Sequence, residues 1–363
     1  MSEFVRIATM AMKAMLGDHA ELELVLLSSP GSSGARVSIF RHSRTEKLFA
    51  VKCANESRVS LKNEIARRDY LKPYFEGHLP QVLMFQVIDG YEVMVSECRG
   101  LNTLHQLIVQ SELPHEYMLN IWEDISAKLL GMWQKTRSDY QPELNPRNFS
   151  ARMQRIKDGV QEIELLGTSL EQLWELPIKV NGRKYSSLAD TFHEVQNIET
   201  PDFGVLCHGD PQPSNFIVDR NGHWNCIDWE WAGGPHDWRM MMAHLHGWWT
   251  TRCLALTKEP SVKVSEEVLE LEYDAFVPAH LFRYQNTSIG LLKSMAPTVK
   301  ERVRAINGIN RYLAALYLGE VRFLPLWGRN AFTVPMLAQA VMAVSNENDA
   351  YGGPFKISLN EEE

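Results

Sequence analysis

The sequence predicts an α+β chain of two lobes, an antiparallel sheet lobe over residues 1–99 and a mainly helical lobe over residues 100–363. Three observations carry that expectation. Five strand-like segments fall within the first hundred residues, each bounded by turn-forming residues. From residue 114 onward the apolar residues recur at helical spacing. The chain has 363 residues, 45% hydrophobic and 23% charged, which is ordinary globular composition and enough length for two cores.

The first lobe can be justified element by element. After an N-terminal helix, "ELELVLLSSPGSSGARVSIFRHSRTEKLFAVKCANE" reads as strands near 22–28, 35–41 and 47–53, with Pro30, Gly31 and Gly34 separating the first two. "SRVSLKNEIARRDYLKPYF" reads as a helix whose apolar face is Leu61, Ile65 and Leu71. "QVLMFQVIDGYEVMVSECRG" reads as a hairpin turned at Asp89-Gly90, and Gly100 begins the linker out of the lobe.

The rest is read as mostly helical. "PHEYMLNIWEDISAKLLGMWQKTRS" has the length and period of a long buried helix. Residues 139–200 hold Pro-interrupted helical pieces and a hairpin signal, Asn181-Gly182. A strand–turn–strand unit surrounds "DRNG", helices are expected from about 238 to 346, and the final "NEEE" reads as an acidic tail.

Composition narrows the function classes. There are 37 basic and 45 acidic residues, a net charge of −8, and no long basic block, which argues against nucleic acid as a partner. Five cysteines (Cys53, Cys98, Cys207, Cys226, Cys253) form no CxxC pair and read as reduced thiols. "MSEFVRIATMAMKAML" lacks the form of a secretory signal, although Arg6 and Lys13 on an amphipathic helix leave a transit peptide as an alternative. No apolar run reaches the roughly 18–20 residues of a membrane span. A soluble, cytoplasmic protein is expected.

The residues that carry chemistry lie in "LCHGDPQPSNFIVDRNGHWNCIDWEW", residues 206–231. Asp210 is followed five positions later by Asn215, and Asp228 closes the next hairpin. Phosphoryl transfer from ATP calls for such a set: one carboxylate to orient or deprotonate an attacking hydroxyl, an amide oxygen and a second carboxylate to hold magnesium. Magnesium takes hard oxygen ligands and keeps several waters, so two protein ligands suffice. In the first lobe Lys52 interrupts the apolar "LFAVKCA", where a charge needs a partner. Glu64 on the following helix is a candidate partner, with Glu56 as a competitor. Gly31 and Gly34 would let backbone approach phosphates.

Taken together, "HGDPQPSNF…IDWEWAGGPHDW" and the order of elements around it resemble the aminoglycoside phosphotransferase and choline kinase-like family, from about residue 20 to residue 345. That family has a protein-kinase-like fold specialised for small molecules. The resemblance implies Asp210 as catalytic base, Asn215 and Asp228 as magnesium ligands, and Lys52 on the α/β-phosphates with Glu64 as its ion-pair partner. "MVSECRG" resembles the hinge between lobes, which implies adenine contacts from the backbone of Ser96 and Cys98. Asp237 resembles the Asp that braces the catalytic loop. The loop "PGSSGA" departs from a full GxGxxG.

Plainer readings compete at several positions. His208 is read as a packing histidine that bonds backbone. His236, His244 and His246 invite a metal reading, but His244 and His246 point about 200° apart on a helix and are read with the neighbouring Met and Trp residues as core. Glu266, Glu267, Glu270, Glu272 and Asp274 are read as a solvated helix face rather than a cation attractor. The expectation is an ATP- and magnesium-dependent kinase acting on a hydroxyl of a small molecule: an aminoglycoside-like antibiotic, amino alcohol, sugar or related metabolite. The alternatives are a silent nucleotide-binding scaffold of the same fold, or a protein kinase. Only eight residues separate Asp228 from Asp237, too few for an activation segment.

Overall fold

A computed structural model describes residues 2–28, 34–55, 60–110, 114–139, 153–154, 156–158, 164–165, 168–321 and 330–345. The chain divides into two compact units, residues 1–121 with 208–233, and residues 122–207 with 234–363. The segment that bears the candidate catalytic residues falls in the first unit, with the sheet.

The first unit is built on a five-stranded antiparallel sheet in the order β1-β2-β3-β5-β4. Its strands are β1 (Leu22–Leu27), β2 (Arg36–His42), β3 (Leu48–Asn55), β4 (Val82–Ile88) and β5 (Tyr91–Cys98). Asp89 and Gly90 join the last two with φ of 47° and 78°, both in the left-handed region that a two-residue hairpin demands. Because side chains alternate along a strand, the sheet has two distinct faces. Phe40, Phe49, Val51, Cys53, Val93 and Val95 form one face, buried against Ile7, Ala8, Ala11 and Met12 of α1 (Glu3–Leu16). Burying such a side chain stabilises by roughly 1.5–3 kcal/mol, which makes α1 part of the sheet's core. The opposite face, through Val37, Ile39, Ala50, Lys52, Met94 and Ser96, lines a cavity.

The helix α2 (Leu61–Leu71) begins at Ser60, whose Oγ accepts from Asn63 N at 3.2 Å. The Glu92 carboxylate on β5 accepts from the first backbone amides of α2, Leu61 and Lys62, an anion at the positive end of the helix. That pin fixes α2 against β5 and sets the position of Glu64, which is 1% exposed. Further along, Phe216–Val218 pairs antiparallel with Trp224–Cys226 and with Asn102–Thr103. Asp219 accepts from the amides of Asn221 (2.8 Å) and His223 (3.0 Å), which closes the expected "DRNG" turn.

The second unit is mainly helical. The long helix His115–Lys135 enters it at Trp122, whose indole N–H donates to the Tyr284 carbonyl at 3.0 Å. Trp122 and Trp249 meet edge to face with ring centroids 5.8 Å apart. The helices Trp238–Cys253, Ala279–Met295, Val299–Val321 and Asn330–Val344 make up the rest of this core. His244 and His246 are buried, and His246 Nδ1 lies 3.0 Å from Ser288 Oγ, as the core reading expects. Among the described residues there is no group of three or more His, Cys, Asp or Glu suited to a metal.

One stretch corrects the sequence reading. Residues expected to be helical include the strands Ser261–Val264 and Leu269–Glu272, which join the hairpin Ile178–Val180/Arg183–Tyr185 in a four-stranded sheet. Leu269 and Leu271 are buried while Glu270 and Glu272 are not, a period of two that outweighs the helix propensity of Glu and Leu. The acidic cluster is therefore not a helix face, and Glu270 bonds Lys179 at 2.8 Å. No helix among the described residues is long and apolar enough to cross a membrane.

Candidate active site

Lys52 lies midway along β3 on the face away from α1, so its chain leaves the apolar core and enters the cavity. Its ammonium donates to both oxygens of Glu64, at 3.1 and 2.9 Å, and to Asp228 Oδ1 at 2.7 Å. Glu64 is thus its partner, and the competitor Glu56 lies outside the described residues. Burial works against the ammonium, but the carboxylates of Asp228 and Glu64 outweigh it and hold the Lys52 pKa above its ordinary value. Glu64 is buried while Asp228 is 36% exposed. The pair is therefore anchored at Glu64 and open at Asp228.

Asp228 follows the strand Trp224–Cys226 with φ of 62°, an unusual conformation for a non-glycine residue. Two bonds set the loop before it. Ile227 N donates to the Asn215 carbonyl at 2.9 Å, and His208 Nε2 lies 3.0 Å from the Ile227 carbonyl. His208 Nδ1 in turn accepts from Asp210 N at 3.3 Å. With one nitrogen donating and the other accepting, the ring is neutral with its proton on Nε2. Burial lowers the His208 pKa. The residue holds two backbone segments together, as the packing reading expects.

Asp210 and Asn215 sit on one tight turn. Asn215 Nδ2 donates to the Asp210 carbonyl at 2.9 Å and approaches Asp210 Oδ2 at 3.3 Å. That use of the nitrogen leaves Oδ1 as the atom of Asn215 that could hold a metal. Gln212, which the sequence reading did not single out, donates its Nε2 to Asp210 Oδ2 at 2.9 Å. Its place two positions after the candidate Asp210 was the only signal for it. Gly209 has φ of 91°, and a Cβ there would collide with the Trp231 carbonyl oxygen. Only glycine fits, and the turn that presents Asp210 depends on it.

Lys52, Glu64, Asn215 and Asp228 line the cavity of about 280 Å³. Its other walls are largely apolar, including Ala35, Val37, Ile39, Met94, Ile217 and Ile227. Ser96 and Cys98, at the end of β5, also line it. Gly34 has φ of 81° just before β2, and Gly31 lies outside the described residues. Glu230, in the same wall, has its carboxyl pushed up to about 7, by burial first and then by the Asp228 charge. Arg67 donates to the Glu230 carbonyl and ties α2 to this segment. In the second unit Asp237 is fully buried, caps Trp238–Cys253 by accepting from Arg239 N at 2.9 Å, and accepts from Tyr312 OH at 3.0 Å. The Arg239 guanidinium also holds it, at 2.7–3.0 Å.

The donor set suits magnesium. Asp228 keeps Oδ2 while Lys52 takes Oδ1, Asn215 adds an amide oxygen, and both line one cavity.

No protein-family model and no curated protein matches the chain. Solved structures do. A thermostable mutant of aminoglycoside phosphotransferase APH(4)-Ia, in apo form, aligns at 12% identity over 92% of this chain and 97% of its own, with a TM-score of 0.52. The chain shares the fold of the aminoglycoside phosphotransferases. A thermostable mutant of that protein in ternary complex with AMP-PNP and hygromycin B aligns at 13% identity over 93% and 97% of the two chains, again with a TM-score of 0.52. An ethanolamine kinase from Plasmodium vivax aligns at 11% identity over 91% and 84%, with a TM-score of 0.49.

Proposed function

We propose that the chain is an ATP- and magnesium-dependent O-phosphotransferase that moves the γ-phosphate of ATP to a hydroxyl of a small molecule. One observation carries this reading. Lys52, Glu64, Asp228 and Asn215 converge on one cavity, with Asp210 on the same turn as Asn215. A protein that only bound nucleotide would not need the Asp210 carboxylate held by Gln212 and Asn215. The shared fold supports the reading, because the structure solved with AMP-PNP and hygromycin B is that of a phosphotransferase of small molecules.

The residues divide the work. Lys52, fixed by Glu64, holds the α- and β-phosphates of ATP, and the backbone of Ser96 and Cys98 meets the adenine. Gly34, with Gly31 in the same loop, lets backbone come close to the phosphates. Asp228 Oδ2 and Asn215 Oδ1 would hold magnesium, which when bound would neutralise charge on the phosphate oxygens. Asp210 accepts the proton of the acceptor hydroxyl as its oxygen bonds to the γ-phosphorus. The bond from that phosphorus to the β,γ-bridging oxygen breaks, and ADP leaves. Asp237 steadies the catalytic loop, as the resemblance implies.

The acceptor is an aminoglycoside-like antibiotic, an amino alcohol, a sugar or a related metabolite, and the place of action is the cytoplasm. An ATP-consumption screen over a panel of these hydroxylated compounds tests the function, with mass spectrometry for the added phosphate. The expected result is one compound class gaining the mass of a phosphoryl group only when magnesium is present. No phosphorylated product from any class would overturn the proposal.

A further inference from the structure

The segment Asp228-Trp229-Glu230 leaves its hairpin in a backbone conformation that needs outside support. Asp228 has φ of 62°, which a non-glycine residue keeps only where its surroundings fix it. Before Asp228 the support comes from Asn215 and His208, which hold the N–H and the carbonyl of Ile227. After it, the support comes from α2. The Trp229 N–H donates to the Glu64 carboxylate, and the Arg67 guanidinium donates to the Glu230 carbonyl. Arg68 lies over the Trp229 ring, 5.5 Å from its centroid. Residues 64, 67 and 68 stand at i, i+3 and i+4 and so share one face of the helix. The helix is itself fixed, by Glu92 at its first amides and by Arg68 on the Pro80 carbonyl at 2.8 and 3.2 Å.

We propose that Arg67 is a positioning residue for the magnesium site, holding the backbone after Asp228 so that its carboxylate keeps Oδ2 available to the metal. This rests on the magnesium–nucleotide reading above. Of the three side chains on that helix face, Glu64 also holds Lys52 and Arg68 also holds Pro80. Arg67 is half-buried and stands outside the cavity wall, so its influence on a ligand passes through the backbone it holds. A guanidinium on a carbonyl makes a charge-assisted hydrogen bond, enough to weight a loop conformation by about tenfold or more. Without it, the chain after Asp228 is released from α2 and the carboxylate can leave its left-handed backbone. Lys52 keeps both oxygens of Glu64, so the phosphate contact outlasts the loss.

The test is calorimetric binding of AMP-PNP to the full chain across a magnesium titration, and again in EDTA, for wild type, Arg67→Met and Arg67→Lys. Arg67→Met keeps the apolar stem and removes the donor. Its half-saturating magnesium should rise about tenfold or more, while its affinity for magnesium-free AMP-PNP stays within about threefold of wild type. Arg67→Lys keeps a cationic donor and should recover part of the magnesium response. Arg67→Gln, too short to reach the carbonyl, carries the same expectation as Arg67→Met should that variant not fold. A wild-type magnesium response in a folded Arg67→Met would overturn the proposal. So would an equal loss of affinity with and without magnesium, which would make Arg67 a support of the whole pocket. In both cases the wild type still binds nucleotide in a magnesium-dependent way, and the phosphotransferase reading stands. Wild-type nucleotide binding that ignores magnesium would overturn both.

Discussion

Lys52 and Asp228 are 176 residues apart in sequence, yet the ammonium lies 2.7 Å from the carboxylate. Glu64 holds the same ammonium from the other side with a side chain that is 1% exposed. Removing Lys52 therefore does more than remove a phosphate contact. It leaves Glu64 buried without its counter-charge, at a cost of about 3–5 kcal/mol.

Lys52→Ala should thus weaken nucleotide binding and also lower Tm clearly, whereas the sequence alone, silent on the depth of Glu64, suggests only a modest loss. Lys52→Met combined with Glu64→Leu should recover most of the Tm and none of the nucleotide affinity. Thermal unfolding of the three chains, with and without magnesium–ATP, separates the two effects. Equal Tm for Lys52→Ala and wild type would contradict the buried pair.

Gly209→Ala places a methyl group where the Trp231 backbone already lies, at a φ of 91° that alanine resists. The expected loss is about 2 kcal/mol or more, with backbone displacement on both sides of the turn. Circular dichroism melts would detect it. A Tm within about a degree of wild type would mean the turn is loose enough to admit the methyl group.

His208 gives the chain an acid-sensitive site. Its folded pKa lies below the ordinary 6.5, with burial the first cause. The unfolded chain therefore takes up a proton that the folded chain refuses. The stability at stake is fully present above pH about 6.5 and is lost as pH falls from there toward the folded pKa. His208→Asn should be less stable at neutral pH and should show a flatter Tm over about pH 5–7. The same slope in both chains would point to other groups.

Gln212 is a positioning residue for Asp210, to which it donates at 2.9 Å. Gln212→Ala should lower kcat by about tenfold with little change in KM for ATP, since the lost bond orients the carboxylate rather than the nucleotide. Gln212→Asn should recover part of the rate. A KM effect alone would move Gln212 to nucleotide binding.

Much of this was legible in the sequence because its signals are local. Asp89-Gly90 and Asn181-Gly182 are both left-handed in φ, as two-residue hairpins require. Lys52 stands out as the charge inside the apolar "LFAVKCA", which marked it as needing a partner. The strands at Ser261–Val264 and Leu269–Glu272 were missed because "VSEEVLELEY" satisfies a helix as well as a strand. What decides is the parallel pairing with Ile178–Val180, far away in the chain. Gln212 was missed for another reason. An amide's role depends on what it faces, and no local spacing encodes that.

The division of labour between Asp210 and Asp228 is the most direct test of the account. Magnesium–ATP affinity and turnover can be measured together in wild type, Asp210→Ala and Asp228→Ala, using an acceptor found by the screen. Asp228→Ala should lose turnover and the magnesium-dependent part of nucleotide binding. Asp210→Ala should bind magnesium–ATP nearly as well as wild type while its rate falls by roughly 10²-fold or more. Turnover by Asp210→Ala at near the wild-type rate would contradict the assignment of Asp210 as the base, and with it the proposed phosphotransfer at this site.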